Sequence, residues 1–260
     1  MKADERDRLI SLLADRVAGT IAWKDILEDA PDLSIDDAYL LQSGLMRRLA
    51  AAGDPLVGYK ASLTNLAMQK ARGTGGPVAG GLLASCLRDD DSAIAFVPGA
   101  RNAVEAEVAI LLGADIDGPN VTALDVRRAT AALLPAIEVA VGAPGNVDRS
   151  SQMAIATQKT TGAVILGGPG RSPDGIDLRV EGAVITVNGE YKATATAVEV
   201  MGDPYRAGAF IANQMLATGD KLRAGMILMT GSITLAVNVV AGDNVRVDFT
   251  RLGSVNIRMN

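Results

Sequence analysis

The sequence predicts an α+β fold in which a small helical N-terminal segment precedes a β-rich domain. Apolar residues recur at helical spacing between residues 5 and 50, as in Leu9, Leu12, Leu13, Val17 and Ile21. After Gly53, glycines and β-branched residues become frequent, and short apolar runs alternate with turns. We therefore expect the helical segment to cover residues 1–75 and the β-rich domain to cover residues 76–260.

Three further helices are predicted from their capping residues. Each begins next to a serine, threonine or aspartate side chain that accepts a hydrogen bond from the first helical turn. One helix starts at Ser34, and the other two start after Thr122 and Asp203. The last two are expected to cover about residues 123–133 and 204–218.

The β-rich part contains ten candidate strands separated by turn residues. Asn188-Gly189 lies between two alternating runs and predicts a tight hairpin, because both residues tolerate the positive φ angles of a type I′ turn. The uncharged run from Ala224 to Gly242 is rich in β-branched residues and contains glycines, so we interpret it as strands and a turn, not as a membrane span. The candidate strands are Leu56–Lys60, Ala93–Val97, Val104–Leu112, Ala136–Val141, Ala163–Leu166, Arg179–Val187, Thr194–Val200, Met226–Thr230, Asn244–Phe249 and Val255–Met259.

The composition restricts the chemistry that the chain can perform. There is no histidine, and Cys86 is the single cysteine. The chain therefore has no Ser-His-Asp triad, no imidazole base, no histidine-ligated metal, no internal disulfide and no cysteine metal cluster. Any enzymatic chemistry must use carboxylates, lysines, hydroxyls, amides or a bound ion.

Charge and the N-terminal sequence restrict partners and compartment. The formal charge is 25 − 30 = −5, which argues against a nucleic-acid-binding protein, because its contact surface would be basic. Residues 1–8 are charged and lack the apolar region of a secretory signal. We expect a cytoplasmic protein that binds neither nucleic acid nor a membrane.

Three glutamates in predicted strands are candidate metal ligands. Glu105 and Glu107 point to the same face of their strand, because side chains alternate along a strand. Glu138 is the single charge in an apolar strand, where burial without a partner would be costly. Carboxylate oxygens suit magnesium, manganese or calcium. The alternative is that Glu105 and Glu107 lie on a solvated face and Glu138 at an exposed edge.

Lys60 and the segment Thr230-Gly231-Ser232 are weaker candidates. Lys60 ends an apolar strand, and beside a metal and an apolar wall a fall in its pKa would suit acid–base work. The alternative is a surface lysine with a buried stem. Thr230-Gly231-Ser232 offers two hydroxyls and a glycine that lets backbone approach a ligand, and a plain turn is the alternative.

An ordered set of short motifs over roughly residues 35–260 resembles the fumarylacetoacetate hydrolase superfamily. Within it, the chain is similar to the group of 2-keto-4-pentenoate hydratases and 4-oxalocrotonate decarboxylases of aromatic-compound degradation. The ordered set is more specific than any single motif in it. The motifs are Gly58-Tyr59-Lys60, Leu63-Thr64, Glu105-Ala106-Glu107, Pro135-Ala136-Ile137-Glu138, Leu222-Arg223-Ala224-Gly225, Thr230-Gly231-Ser232 and Leu252-Gly253-Ser254-Val255.

The resemblance implies a mixed β-roll core like the C-terminal part of fumarylacetoacetate hydrolase, and a homo-oligomer. It implies a Mg²⁺ or Mn²⁺ site made by Glu105, Glu107 and Glu138. It implies Lys60 as the catalytic residue, next to a small 2-oxo- or 2-hydroxy-dienoate acid. It also implies substrate contacts from Ser62, Leu63, Gln158, Lys159, Thr230 and Ser232.

The chain departs from the pattern of the hydratases at three places. Where the hydratases have an Asp-Ser-Arg-like stretch, this chain has Val141-Gly142-Ala143. Where they have Ala-Asp-Asn, it has Ala156-Thr157-Gln158. Pro77-Val78-Ala79-Gly80 replaces a Pro-Asp-Tyr-Gly-like turn whose aspartate is often assigned to acid–base work. Lys159 is a cation that either contacts a second substrate carboxylate or lies on the surface.

Together these features predict a metal-dependent lyase that adds water to a 2-hydroxy-2,4-dienoate, with Lys60 moving protons. One alternative is a decarboxylase of a 2-oxo-enedioate, which the missing aspartate favours slightly. Another is a catalytically weak structural partner in a complex with a paralogous enzyme.

Overall fold

The computed structural model of the chain describes residues 1–66, 69–70, 76–142, 150–157 and 161–260. No helix in these ranges is long and apolar enough to cross a membrane. The described α-helices are α1 (Ala3–Ala18), α2 (Ile35–Ala51), α3 (Ala123–Ala129), α4 (Ser151–Thr157) and α5 (Pro204–Ala217). Short 3-10 helices lie at Ile26–Glu28, Ala84–Cys86, Leu178–Val180 and Ala197–Glu199.

The caps that the sequence predicts are confirmed. Ser34, Thr122 and Asp203 each accept a hydrogen bond from a backbone N–H of the turn that follows. Capping side chains satisfy first-turn N–H groups that have no partner inside the helix. The three helices therefore begin where these residues stand.

The predicted helix over residues 123–133 is too long. Helix α3 ends at Ala129, and a strand begins at Thr130. Thr130 pairs with Leu112 on the neighbouring strand. Pairing in the sheet therefore overrides the local helical pattern of residues 130–133.

The strands agree with all ten predicted runs, with shifted ends. Two runs are partly 3-10 helix, at Leu178–Val180 and Ala197–Glu199. Asn188 and Gly189 both have positive φ and form the predicted hairpin. The strands are β1 (Leu56–Ser62), β2 (Val78–Leu83), β3 (Leu87–Asp89), β4 (Ser92–Ile94), β5 (Asn102–Leu112), β6 (Thr130–Val141), β7 (Thr161–Leu166), β8 (Gly182–Val187), β9 (Glu190–Thr196), β10 (Ile227–Ser232), β11 (Val237–Asn238), β12 (Asn244–Phe249) and β13 (Gly253–Met259).

Eight strands form a mixed sheet that curls into a roll. Its order is β2-β1-β10-β5-β6-β7-β3, and β11 also pairs with β5. The pairs β1–β10 and β3–β7 are parallel, and the other pairs are antiparallel. The strands at the two ends of this order, β2 and β3, are joined by only three residues, Ala84–Cys86. The two edges of the sheet must therefore approach each other, which gives the mixed β-roll expected for this sequence.

The two faces of the roll have different surroundings. The outer face packs against α5 and a five-stranded sheet of order β4-β13-β12-β8-β9, and it contributes to the main core. The inner face carries a smaller apolar cluster, made by Leu82, Ala109, Ala136, Val164, Ile227 and Met229. The division of the chain between residues 75 and 76 stays a prediction.

Candidate metal centre

The three predicted metal ligands lie together on the inner face of the roll. Glu105 on β5 is directly opposite Glu138 on β6, and Glu107 lies two residues further along β5 on the same face. One carboxylate oxygen of each lies within 4.8 Å of the other two. Glu107 and Glu138 are buried, and Glu105 is half-buried. The alternative of a solvated strand face therefore does not describe these carboxylates.

Lys60 reaches the same cluster from β1, where it lies beside Gly80 on one side and Met229 on the other. Its Nζ donates to Glu138 Oε1 at 2.5 Å and to Thr161 Oγ1 at 2.8 Å. The Thr161 hydroxyl donates in turn to Glu138 Oε1 at 3.1 Å. The ammonium, carboxylate and hydroxyl thus form a closed triangle that fixes the position of Nζ.

Thr161 is a site residue that the sequence reasoning missed. It is the first residue of β7, two positions before the start of the predicted strand Ala163–Leu166. Its hydroxyl carries no charge, and its place beside Glu138 depends on the pairing of β7 with β6. A prediction that the strand at Ala163–Leu166 pairs with the strand of Glu138 would have brought Thr161 near the site.

Gly231 holds Glu107 through its backbone. Its N–H donates to Glu107 Oε2 at 2.8 Å. Its φ is +100°, and a Cβ at this position would lie 2.2 Å from Thr64 Oγ1. Both the conformation and the space therefore require glycine. The sequence predicts that this glycine lets the backbone approach a ligand. In the structure the backbone approaches the carboxylate of Glu107.

The two hydroxyls beside Gly231 have partners. Thr230 Oγ1 donates to the Val108 carbonyl at 2.9 Å, and Ser232 Oγ donates to the Thr234 carbonyl at 2.8 Å. Ser232 lies opposite Glu107 across the β5–β10 pair. Their roles as substrate contacts stay predictions.

The remaining predicted substrate contacts divide into two groups. Ser62 ends β1 opposite Val78, and Leu63 follows it with a φ of 57°, which is uncommon for a branched side chain. Gln158 and Lys159 lie outside the described residues. The roles of all four residues as substrate contacts stay predictions.

The described charges of the cluster shift the pKa values of Glu107 and Lys60. Burial, followed by repulsion from Glu138 and Glu105, raises the pKa of Glu107 well above its usual range, although Lys60 and Gly231 act in the opposite direction. Burial lowers the pKa of Lys60, but attraction to the glutamates outweighs it, and the pKa is raised overall. Without a metal, the glutamates therefore favour the ammonium form of Lys60. The fall in its pKa beside a bound metal stays a prediction.

The residues present fit a divalent cation. One carboxylate oxygen of each glutamate lies within 4.8 Å of the other two in a mostly buried place, and like charges so close repel one another. All the potential ligand atoms are oxygens, which Mg²⁺ and Mn²⁺ prefer. Both the charge and the chemistry of the ligands therefore suit such an ion.

Comparisons with known proteins show the family of the chain. Residues 59–260 match the fumarylacetoacetate (FAA) hydrolase C-terminal family, and the chain belongs to that family. The chain is 34% identical to a 2-oxo-hept-4-ene-1,7-dioate hydratase of Escherichia coli, with 88% of each chain covered. It is 31% identical to a 4-oxalocrotonate decarboxylase of Pseudomonas putida, with 90% of this chain and 88% of the relative covered.

A solved structure has the same fold over the full length. It is the 4-oxalocrotonate decarboxylase from Pseudomonas putida G7, complexed with magnesium and adipate. The TM-score is 0.90 at 28% identity, and the alignment covers 100% of this chain and 99% of the other. The helical N-terminal segment is therefore part of the shared fold, as well as the roll.

Proposed function

We propose that the protein is a metal-dependent lyase that adds water to a 2-hydroxy-2,4-dienoate acid, as a 2-keto-4-pentenoate hydratase does, in the breakdown of aromatic compounds. The observation that carries this proposal is the cluster of Glu105, Glu107 and Glu138, with Lys60 bonded to Glu138 at 2.5 Å. The similarity to a hydratase of a 2-oxo-enedioate supports it.

In this proposal Glu105, Glu107 and Glu138 hold Mg²⁺ or Mn²⁺. When bound, the ion supplies Lewis-acid chemistry that polarises the carboxylate and the C2 oxygen of the substrate. The contribution of the chain is to keep the three carboxylates close. The β5–β6 pairing does this for Glu105 and Glu138, and the Gly231 N–H does it for Glu107.

Lys60 is the proposed proton donor. Glu138 and Thr161 hold its ammonium in place beside the carboxylates. In the first stage it donates a proton to the terminal carbon of the dienoate and recovers the proton that leaves the C2 hydroxyl. In the second stage a water oxygen bonds to C4, and a proton from that water ends on C3. The substrate gains one water, and Lys60 ends in the state in which it began.

The substrate contacts belong to the same proposal. A carboxylate substrate beside buried charges needs hydrogen-bond donors around it, since unpaired charge in such a place is costly. The family resemblance assigns this task to residues at the ends of β1 and β10 and before β7. They are Ser62, Leu63, Gln158, Lys159, Thr230 and Ser232.

A second candidate is decarboxylation of a 2-oxo-enedioate. Val78 and Gly80 are the β2 residues that lie beside Ser62 and Lys60, and neither carries a titratable group. Water addition benefits from a base that activates the water, whereas loss of CO₂ needs only a proton for the carbon chain. The similarity to a 4-oxalocrotonate decarboxylase supports this candidate.

An assay with two substrates separates these functions. The purified protein is incubated with 2-hydroxypenta-2,4-dienoate, and with 2-oxohex-3-enedioate, in Mg²⁺, in Mn²⁺ and in EDTA. We expect metal-dependent formation of a 4-hydroxy-2-oxo acid from the first compound. Metal-dependent release of CO₂ from the second, without hydration of the first, would make the decarboxylase correct. Inactivity on both, with co-purification of a paralogue, would make the protein a weak structural partner.

The proposal also covers the oligomeric state of the protein and its cellular compartment. We propose a cytoplasmic homo-oligomer. Co-purification tests whether it also forms a complex with a paralogous pathway enzyme. Size-exclusion chromatography with light scattering measures the mass of the purified protein against its 26.8 kDa chain. A monomer under assay conditions would contradict the oligomer.

A further inference from the structure

The inner face of the roll opens to solvent at one end of β5. Alternate residues of a strand share a face, so Arg101, Ala103, Glu105 and Glu107 follow one another along this face. Glu107 is buried, Glu105 is half-buried and Arg101 is exposed. The face therefore runs from the buried carboxylates to an exposed arginine at its open end.

The backbone confirms that Arg101 belongs to this face although it precedes β5. Its carbonyl accepts a hydrogen bond from Gly142 N at 2.7 Å, which extends the β5–β6 pairing by one residue pair. A Cβ at Gly142 would lie 3.3 Å from the Cβ of Arg101, so both point to the same side. Because Glu105 lies opposite Glu138 in the same ladder, Arg101 and Glu105 share that side.

The guanidinium of Arg101 is held by Asn238 of β11. Its Nε donates to Asn238 Oδ1 at 2.9 Å, and Asn238 is paired with Ala103, which lies between Arg101 and Glu105. Within the described residues, no carboxylate forms an ion pair with Arg101, and its two Nη groups make no hydrogen bond. A bidentate donor is thus held in place by Nε with its outer N–H groups available.

We infer that Arg101 binds the far carboxylate of a dicarboxylate substrate, a 2-oxo- or 2-hydroxy-enedioate. This rests on the proposed function, which places the other carboxylate of the substrate at the glutamate cluster. Four residues of strand separate the Cα atoms of Arg101 and Glu105 by about 13 Å. The side chains of Arg101 and Glu105 are long, so the distance between the guanidinium and the glutamate cluster can be as short as a carbon chain of a few atoms.

Charge supports the same conclusion. The divalent cation that Glu105, Glu107 and Glu138 would hold would attract the first carboxylate of the substrate. A second carboxylate further out needs its own cation. In the described part of the inner face, Arg101 supplies this cation. Its planar guanidinium matches the geometry of a carboxylate.

The test compares Arg101 with an arginine that has a similar contact elsewhere. Arg258 on β13 is also exposed, and its Nε donates to Asn260 Oδ1 at 3.2 Å. Arg101→Met and Arg258→Met are compared with the wild type. The readouts are kcat/KM for hydration of the diacid 2-oxohept-4-ene-1,7-dioate and of the monoacid 2-hydroxypenta-2,4-dienoate, and calorimetric Kd for adipate and hexanoate in Mg²⁺.

We expect Arg101→Met to lower the ratio of diacid to monoacid kcat/KM by roughly 10- to 100-fold, and to weaken adipate relative to hexanoate by a similar factor. Arg258→Met should leave both ratios within about twofold of the wild type. Equal losses on diacid and monoacid in Arg101→Met, or no loss, would overturn the inference.

Two further outcomes separate this inference from the proposed function. If Lys159→Met lowers the diacid preference and Arg101→Met does not, Arg101 is not the residue that binds the far carboxylate. If the wild type turns over neither substrate and binds no adipate in Mg²⁺, the proposed function itself fails. Intact turnover of the monoacid by the wild type, with no response of the ratio to Arg101→Met, overturns only the inference.

Discussion

Two ion pairs on two sheets have nearly the same N···O distance and opposite surroundings. Lys60 and Glu138 approach to 2.5 Å inside the roll, and each side chain is 3% exposed. Arg246 and Asp248 approach to 2.6 Å on the five-stranded sheet, with 50% and 47% exposure. An exposed pair contributes little to stability, whereas removing one member of a buried pair leaves an uncompensated charge. The difference indicates that the buried pair is kept for chemistry, and the following predictions test this.

The largest expected effect is that of Lys60→Met. The change removes the proposed proton donor, so kcat should fall roughly 10²–10⁴-fold with Mg²⁺ present. It also leaves Glu138 and Glu107 buried without an ammonium, so the metal-free protein should lose about 3–5 kcal/mol of stability. Steady-state kinetics and thermal unfolding in EDTA measure the two effects. A variant that retains more than a tenth of the wild-type kcat would refute the proton-donor role.

The second effect is that of Glu107→Gln, which removes a charge and keeps the shape. Burial and neighbouring carboxylates disfavour the charged form of Glu107, as the direction of its pKa shift indicates. The metal-free variant should therefore be more stable than the wild type by about 1 kcal/mol or more. Mg²⁺ affinity should weaken roughly 100-fold or more, because a ligand is lost.

Unfolding curves with EDTA and with increasing Mg²⁺ check both parts of this prediction. The wild type should gain stability with Mg²⁺, and Glu107→Gln should gain little over the same range. If the variant unfolds at a lower temperature than the wild type in EDTA, the cluster is not under the repulsion described above. If both respond equally to Mg²⁺, Glu107 is not a ligand.

Much of the site could be predicted from the sequence because strand alternation is a local rule. It places Glu105 and Glu107 on one face, and Glu138 stands out as the single charge in an apolar strand. Thr161 could not be found in this way, because it becomes part of the site through the pairing of β7 with β6. The raised pKa of Lys60 also depends on which charges the fold brings next to it.

The fold shows the same division between local and non-local information. Capping residues predict where helices begin, because a cap acts within one turn. The end of α3 at Ala129 depends on the pairing of Thr130 with Leu112, which no local pattern contains. Strand β2 contains Gly80 and Gly81 and has weak β propensity, so it too depends on its neighbour β1.

A smaller effect is expected from Gly231→Ala. Its Cβ would collide with Thr64 Oγ1, and its positive φ adds strain, so we expect a loss of about 1–3 kcal/mol. The displaced N–H should also weaken Mg²⁺ binding through Glu107. Gly225→Ala is the matched control, since its φ is +87° and a Cβ there has open space. Equal Mg²⁺ affinity in the two variants would show that the Gly231 contact does not position Glu107.

Thr161→Val should have a moderate effect on turnover and little effect on the fold. The change keeps the shape and removes the hydroxyl that bonds Lys60 Nζ and Glu138. Because the Lys60–Glu138 bond remains, we expect kcat to fall roughly 10- to 100-fold, in line with the loss of a hydroxyl that is hydrogen-bonded to two charged groups. Thr161→Ser should restore most of the activity. If Thr161→Ser is as slow as Thr161→Val, the methyl group matters and the hydroxyl does not.

The smallest effect is expected from Asp248→Asn, which breaks an ion pair that is exposed to water. Asp248→Asn breaks the Arg246 pair, but both side chains are about half exposed and remain hydrated. Stability should change by less than about 0.5 kcal/mol, and kcat should not change. Urea unfolding and steady-state kinetics measure this beside Lys60→Met. A loss in Asp248→Asn as large as that in Lys60→Met would mean that burial is not what distinguishes the two pairs. The Lys60–Glu138 bond would then carry no evidence of chemistry.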